Sequence, residues 1–189
     1  MKDYEKLTRL QQVLGVTFKD AAYLLSAVTH RSYLNENRDA TQPHNERLEF
    51  LGDAVLELVV TDYLFTTYKD KQEGELTAIR AALVNTNTLS SLSTVLGVNE
   101  YLLLSKGESK DIGRARQYIL ANTFEAIGGA MYLDQGYDAA RDFVARELFP
   151  LTKNIVEKRL WQDPKSRFQE QAQEVTGITP SYRTLKEQG

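Results

Sequence analysis

The sequence predicts an all-helical fold, on three observations. Apolar residues recur at three- and four-residue spacing along most of the chain, strand signals are nearly absent before residue 178, and 189 residues contain only 4 Pro and 11 Gly. A hydrophobic content of 42% can bury one substantial core and part of a second unit. There is no internal repeat and no low-complexity tract that would argue for disorder. The absence of cysteine excludes disulfides, thiolate zinc sites and a cysteine nucleophile.

The elements follow in order. Asp3 can cap a first helix that carries Leu7, Leu10, Val13 and Leu14 and stops at Gly15. A second helix runs from Asp20 to about His30, and a long one from Asn45 to about Tyr68. Glu75 to about Leu96 holds one or two helices, divided around Asn85 to Thr88. Lys106 to Arg114 (KGESKDIGR) is the most polar, Gly-punctuated loop. Asp111 to Leu133 reads as another long helix and Asp138 to Leu148 follows. Pro150 permits a new helical start toward Trp161. The N-terminal MKDYEKLTRL mixes charges and lacks an apolar segment, and no apolar run approaches membrane-spanning length. The expectation is a soluble cytoplasmic protein without membrane contact.

The long helix after Asn45 concentrates acidic residues. With Glu46 at zero and 100° per residue, Glu49 lies near about −60° and Asp53 near about −20°, while Leu48, Leu51, Val55 and Leu58 cluster between about 120° and 200°. One face is acidic and the other is core. Three carboxylates in a narrow arc suit a hard metal ion, although a solvated charged face would show the same pattern. Phe50, at about 40°, projects beside the acids and suggests a partner surface. Glu57 shares the acidic face and reads as a solvated side chain. Further along, Asn122 and Glu125 are spaced i, i+3 and share a face, with Gly128 and Gly129 in mid-helix. Glycine there costs about 1 kcal/mol against alanine, which close approach of a neighbouring helix would justify.

Residues 45–53, NERLEFLGD, resemble the signature of the ribonuclease III family. The resemblance continues through LSAVTHRSYLNE at residues 25–36, EGELTAIRAALVNTNTL at 73–89, LSKGE at 104–108, Gly113-Arg114, and ILANTFEAIGGAMYLD at 119–134. These blocks stand in the family's order and cover most of residues 20–140. The resemblance implies a helical endonuclease domain over residues 3–150, a linker helix over 151–162 and, from 163 to 189, the start of an α+β double-stranded-RNA-binding domain.

It also implies the chemistry: hydrolysis of phosphodiesters in double-stranded RNA, leaving 5′-phosphate and 3′-hydroxyl ends, in the processing of rRNA and other RNA precursors. Glu49, Asn122 and Glu125 match metal-ligand positions, with Mg2+ as the cation and Mn2+ able to substitute. Asp53 and Glu125 match catalytic positions, and Glu46 and Glu73 match further acids lining the same cleft. Asn122 departs from the pattern, since the family usually has a metal-binding Asp there. An amide oxygen can still coordinate a hard cation, with one negative charge fewer. The family works as a homodimer, one site per subunit, and its aromatic matching Phe50 inserts into a pocket of the partner. His30 and His44 are not needed for this chemistry and read as structural or loop residues.

Beyond Trp161 the character changes. DPKSRFQE at residues 163–170 resembles the start of the RNA-binding domain, with Pro164 opening a helix, Phe168 and Val175 supplying apolar contacts and Gly177 ending it. PSYRTLK at 180–186 alternates like a first strand. Positions Ser166, Gln169 and Glu170 are the implied RNA contacts, Gln169 and Glu170 matching residues that touch ribose hydroxyls in the minor groove. A segment of this length cannot bury its own core.

Net charge weighs against simple electrostatic capture of RNA. The chain carries 23 basic and 26 acidic residues, a net −3. Residues 153–189 hold seven basic and five acidic side chains, a local +2, so −5 remains on the rest. Bound divalent cations would offset that acidity. Two alternatives stay open at this point: a catalytically impaired double-stranded-RNA-binding relative, supported by Asn122, and a structural helical protein whose acids are merely solvated.

Overall fold

The computed structural model describes residues 2–162, 164–178 and 180–183, and the side chains of all of these except residues 2–4, 164, 166, 167 and 170. The described residues form α1 (Lys2–Leu14), α2 (Ala21–Ala27), α3 (Arg31–Glu36), α4 (Glu46–Thr67), α5 (Glu73–Leu83), α6 (Thr86–Val95), α7 (Arg114–Gln135), α8 (Tyr137–Glu157) and α9 (Pro164–Thr176). They include no strand, so the all-helical expectation holds for them.

Helix α7 is the axis of the fold. Eleven of its residues between Ile119 and Met131 are buried, Asn122 and Glu125 being the two that are not, so this helix is covered on all but one polar strip. Helices α4, α6, α8 and α2 pack around it. Gly52 of α4 and Gly129 of α7 lie where these two helices meet. A Cβ built on Gly52 would overlap the carbonyl oxygen of Glu125, and one on Gly129 would overlap that of Leu48. The backbones therefore touch directly, which explains a glycine pair in mid-helix.

Four local expectations change. Helix α1 begins at Lys2, so Asp3 lies in its first turn rather than before it. The predicted helix Asp20–His30 ends at Ala27: the Asn45 amide donates to the Thr29 carbonyl at 2.9 Å and the Leu103 amide to Val28 at 2.8 Å, pulling the backbone straight. His30 then caps α3, its Nδ1 accepting from the Ser32 amide at 3.3 Å. Leu58, read as core, is 57% exposed, because α7 lies against the opposite edge of α4 and buries Leu56, Val59 and Val60 instead. Pro150 lies within α8 and starts nothing new. Leu148, Thr152 and Ile155 are buried on both sides of it, and the Phe149 ring stacks on Tyr63 at 3.7 Å. That packing holds the axis through the loss of one backbone donor. The expected linker helix at 151–162 is therefore, up to Glu157, the end of α8, packed on the core.

Helix α9 stands apart in character. None of its described side chains is buried, and Phe168 and Val175 are 57% and 85% exposed. Gly177 ends it at φ 70°, in the left-handed region expected of a C-terminal glycine. Residues 180–183 form no strand, and 184–186, the rest of the expected one, lie outside the described residues.

Candidate active site

The glycine contact decides which acids meet. Glu49 and Asp53 flank Gly52 on α4, and Glu125 lies one turn before Gly129 on α7. With the backbones touching at those glycines, the two acidic edges face one another. The Asn122 side chain hydrogen-bonds to Glu49. Burial raises the Glu49 carboxyl above its ordinary range, the nearby charges of Glu46 and Asp53 add to this, and the Asn122 bond opposes it. Glu125 is pushed up to about 8, first by burial and then by Asp53 and Glu49. Residues 73 positions apart in sequence thus share one electrostatic environment.

The other expected residues lie around or away from this cluster. Glu46 is exposed at its edge, 3.5 Å from the Arg31 guanidinium and 3.8 Å from His44 Nδ1. Glu73 opens α5 and lines a different groove with Thr61, Phe65 and Arg80. Phe50 projects into solvent at 82% exposure. Gln169 is half-buried on α9, whereas the side chains of Ser166 and Glu170 lie outside the described residues. Sequence reasoning missed Gly52, whose lack of a side chain joins the halves of the site, and Arg31, which holds Glu46. Gly52 carried a signal: it is a glycine in mid-helix, like Gly129.

A polar wall borders the cluster at the start of α7. The Lys106 amide donates to Glu36 at 3.0 Å and the Ser105 amide to Ser32 Oγ at 3.1 Å, tying the 105–113 loop to α3. Arg116 donates to the carbonyls of Glu108 and Asp111 at 2.7 and 3.0 Å and holds the loop's short turn.

The donor set of Glu49, Asp53, Glu125 and Asn122 is oxygen-based, as a hard divalent cation requires. Among the described residues no group of three or more His, Cys, Asp or Glu side chains closes into a metal-holding set. Carboxylates with no counter-charge between them repel, and the raised Glu125 carboxyl marks where positive charge would be accommodated. The set fits such a cation through its chemistry.

Helices α4 and α7 thus bring the carboxylates of Glu49, Asp53 and Glu125 together, an arrangement of the kind that metal-assisted hydrolases use. The chain's likeness to known proteins gives that class a family. A family model described as Ribonuclease-III-like matches residues 20–151. Ribonuclease 3 of Clostridium perfringens is 41% identical over 189 residues, covering 100% of this chain and 78% of the relative. Ribonuclease 3 of Oceanobacillus iheyensis is 45% identical over 181 residues, covering 95% and 78%. The nuclease domain of a ribonuclease III from Campylobacter jejuni, 38% identical, matches with a TM-score of 0.68 over 75% of this chain and 94% of that one. The chain belongs to the ribonuclease III family and is an endoribonuclease.

Proposed function

We propose that this chain cleaves double-stranded RNA, in the processing of rRNA and other precursors, as a cytoplasmic homodimer that uses Mg2+. The observation that carries the reading is the convergence of Glu49, Asp53, Asn122 and Glu125 at the contact of α4 and α7. Glu49, Asn122 and Glu125 hold the cation, with Mn2+ as a substitute. When bound, the metal supplies activation of a water and stabilisation of charge on the phosphate, giving 5′-phosphate and 3′-hydroxyl ends. Asp53, exposed beside the cluster, is the further catalytic carboxylate that the family resemblance implies. Glu46, fixed by Arg31, adds a carboxylate at the rim. Glu73 is assigned to the same cleft by family resemblance alone, since it stands in another groove of the single chain.

The exposed face of α4 supports dimerisation. Phe50, Leu58 and Phe65, 82%, 57% and 71% exposed, follow one another along one side of the helix. Beside Phe50 lies a cavity of about 770 Å³ lined by Tyr23, Pro43, His44, Leu51 and Leu133. In a twofold dimer the Phe50 of each subunit can fill the cavity of the other. The Campylobacter relative is described with structural flexibility in a region involved in dimer formation. No helix among the described residues is long and apolar enough to cross a membrane.

Asn122 favours a second reading, an RNA binder with impaired catalysis, because its amide bonds Glu49 and brings no charge. Initial cleavage rate against Mg2+ concentration on one RNA hairpin separates the two. The enzyme reading expects cleavage by the parent and a lower metal requirement for Asn122→Asp. An inert parent revived by Asn122→Asp supports the binder, and unchanged metal dependence removes residue 122 from the ligand set.

A further inference from the structure

Two polar clefts meet at Tyr118, on the side of the catalytic cluster toward the start of α7. One, of about 410 Å³, is lined by His30, Arg31, Ser32, Asn35, Glu108 and Tyr118. The other, of about 260 Å³, is lined by Asn85, Asn87, Arg114, Gln117 and Tyr118. Tyr118 is 45% exposed, so its ring forms the shared wall between them. Arg114 donates to the Tyr118 hydroxyl at 3.2 Å and sets its guanidinium 5.7 Å from the ring centroid. Tyr118 is one turn before Asn122 and two before Glu125, about 6 and 10.5 Å along the axis. One nucleic-acid strand can therefore touch this surface and the catalytic acids together.

The chemistry of the clefts selects the ligand. Because the tyrosine oxygen already accepts from Arg114, its own hydrogen is free to be donated. The remaining guanidinium N–H groups form a fork suited to a phosphate. Asn35, Asn87 and Gln117 can both donate and accept, which matches a ribose hydroxyl rather than an apolar or purely cationic group. Such clefts can receive the sugar-phosphate ridge at the edge of the wide minor groove of an RNA duplex, where 2′-hydroxyls and phosphates are displayed.

We propose that Tyr118 and Arg114 form a strand-binding subsite for the ribose-phosphate backbone beside the scissile phosphate, Arg114 pairing with a phosphate and Tyr118 donating to a ribose 2′-oxygen. The subsite rests on the reading of the chain as a nuclease of RNA duplexes. It makes these two side chains determinants of RNA-over-DNA selection and of where the strand sits relative to the acids.

The test uses the full chain, an RNA hairpin, and a series of the same hairpin with one 2′-deoxy nucleotide at each position around the cut. Tyr118→Phe is expected to lower kcat/KM by about tenfold, the worth of one hydrogen bond to a polar partner. One deoxy position should cost the parent about as much and cost Tyr118→Phe nothing further. Arg114→Gln should raise KM by about tenfold with a smaller change in kcat. Equal sensitivity of parent and Tyr118→Phe at every deoxy position overturns the proposal, as does parent-like KM in Arg114→Gln. A parent that cuts no duplex instead refutes the nuclease reading. Hairpin binding in calcium, followed by fluorescence anisotropy, then tests the subsite alone, with the same losses expected and their absence overturning it.

Discussion

Glu125 sits under a helix contact with Asp53 and Glu49 as neighbours, and its carboxyl is pushed up to about 8 by burial and by those two charges. In the unfolded chain the same group titrates near the ordinary glutamate value of 4.5. Its contribution to stability is complete below pH 4.5 and is lost as pH rises through 8, because the unfolded state releases the proton first. In chelator, the melting temperature should therefore fall between about pH 5 and 8, and Glu125→Gln should flatten that fall. Thermal melts at matched ionic strength check it, and identical pH profiles for both proteins would remove Glu125 as the cause. The same substitution should abolish RNA cleavage while leaving folding and dimerisation intact, since it alters charge and not core packing. Activity within a few-fold of the parent would dismiss the assigned site.

Helices α4 and α7 make the site by touching at Gly52 and Gly129. A methyl group at either position meets backbone, which cannot turn aside as a side chain can. Gly52→Ala gains about 1 kcal/mol of helix propensity, yet the forced separation of the helices should outweigh it and destabilise the fold by about 3 kcal/mol net. Urea unfolding measures the difference. Cleavage should fall further than stability explains, because the same separation draws Glu49 and Asp53 away from Glu125. Gly74→Ala is the control: a Cβ there meets nothing within 4 Å, so stability should hold or rise slightly.

At the scale of the molecule, the proposed homodimer rests on the exposed apolar stripe of α4 and the cavity next to it. Phe50→Ala should weaken the dimer by about 2–4 kcal/mol, the range for losing a buried aromatic anchor. Sedimentation across a concentration series reads the monomer–dimer equilibrium directly. An unchanged equilibrium would mean that Phe50 does not anchor the pair. Charge acts at this scale too: with −3 on the whole chain, affinity for RNA should depend on divalent cations as well as on lysine and arginine.

The helical class, the order of the main helices and the acidic face of α4 were legible in the sequence, because periodicity and capping are local properties that neighbouring residues fix together. The motif blocks carried the family for the same reason: each is a short run whose residues keep a set spacing. What folding alone decided is which faces meet. Leu58 and Val60 are alike as apolar residues, yet one is exposed and the other buried, since α7 approaches a single edge of α4. Pro150 looked like a boundary until the packing of Phe149 and Ile155 on either side held the helix together. His30 became a cap only when Leu103, far along the chain, straightened the backbone before it. The pairing of Glu49 and Asp53 with Asn122 and Glu125 likewise depends on two glycines in different helices. Spacing within a helix orders side chains around one axis, but the contact between two axes belongs to the tertiary fold.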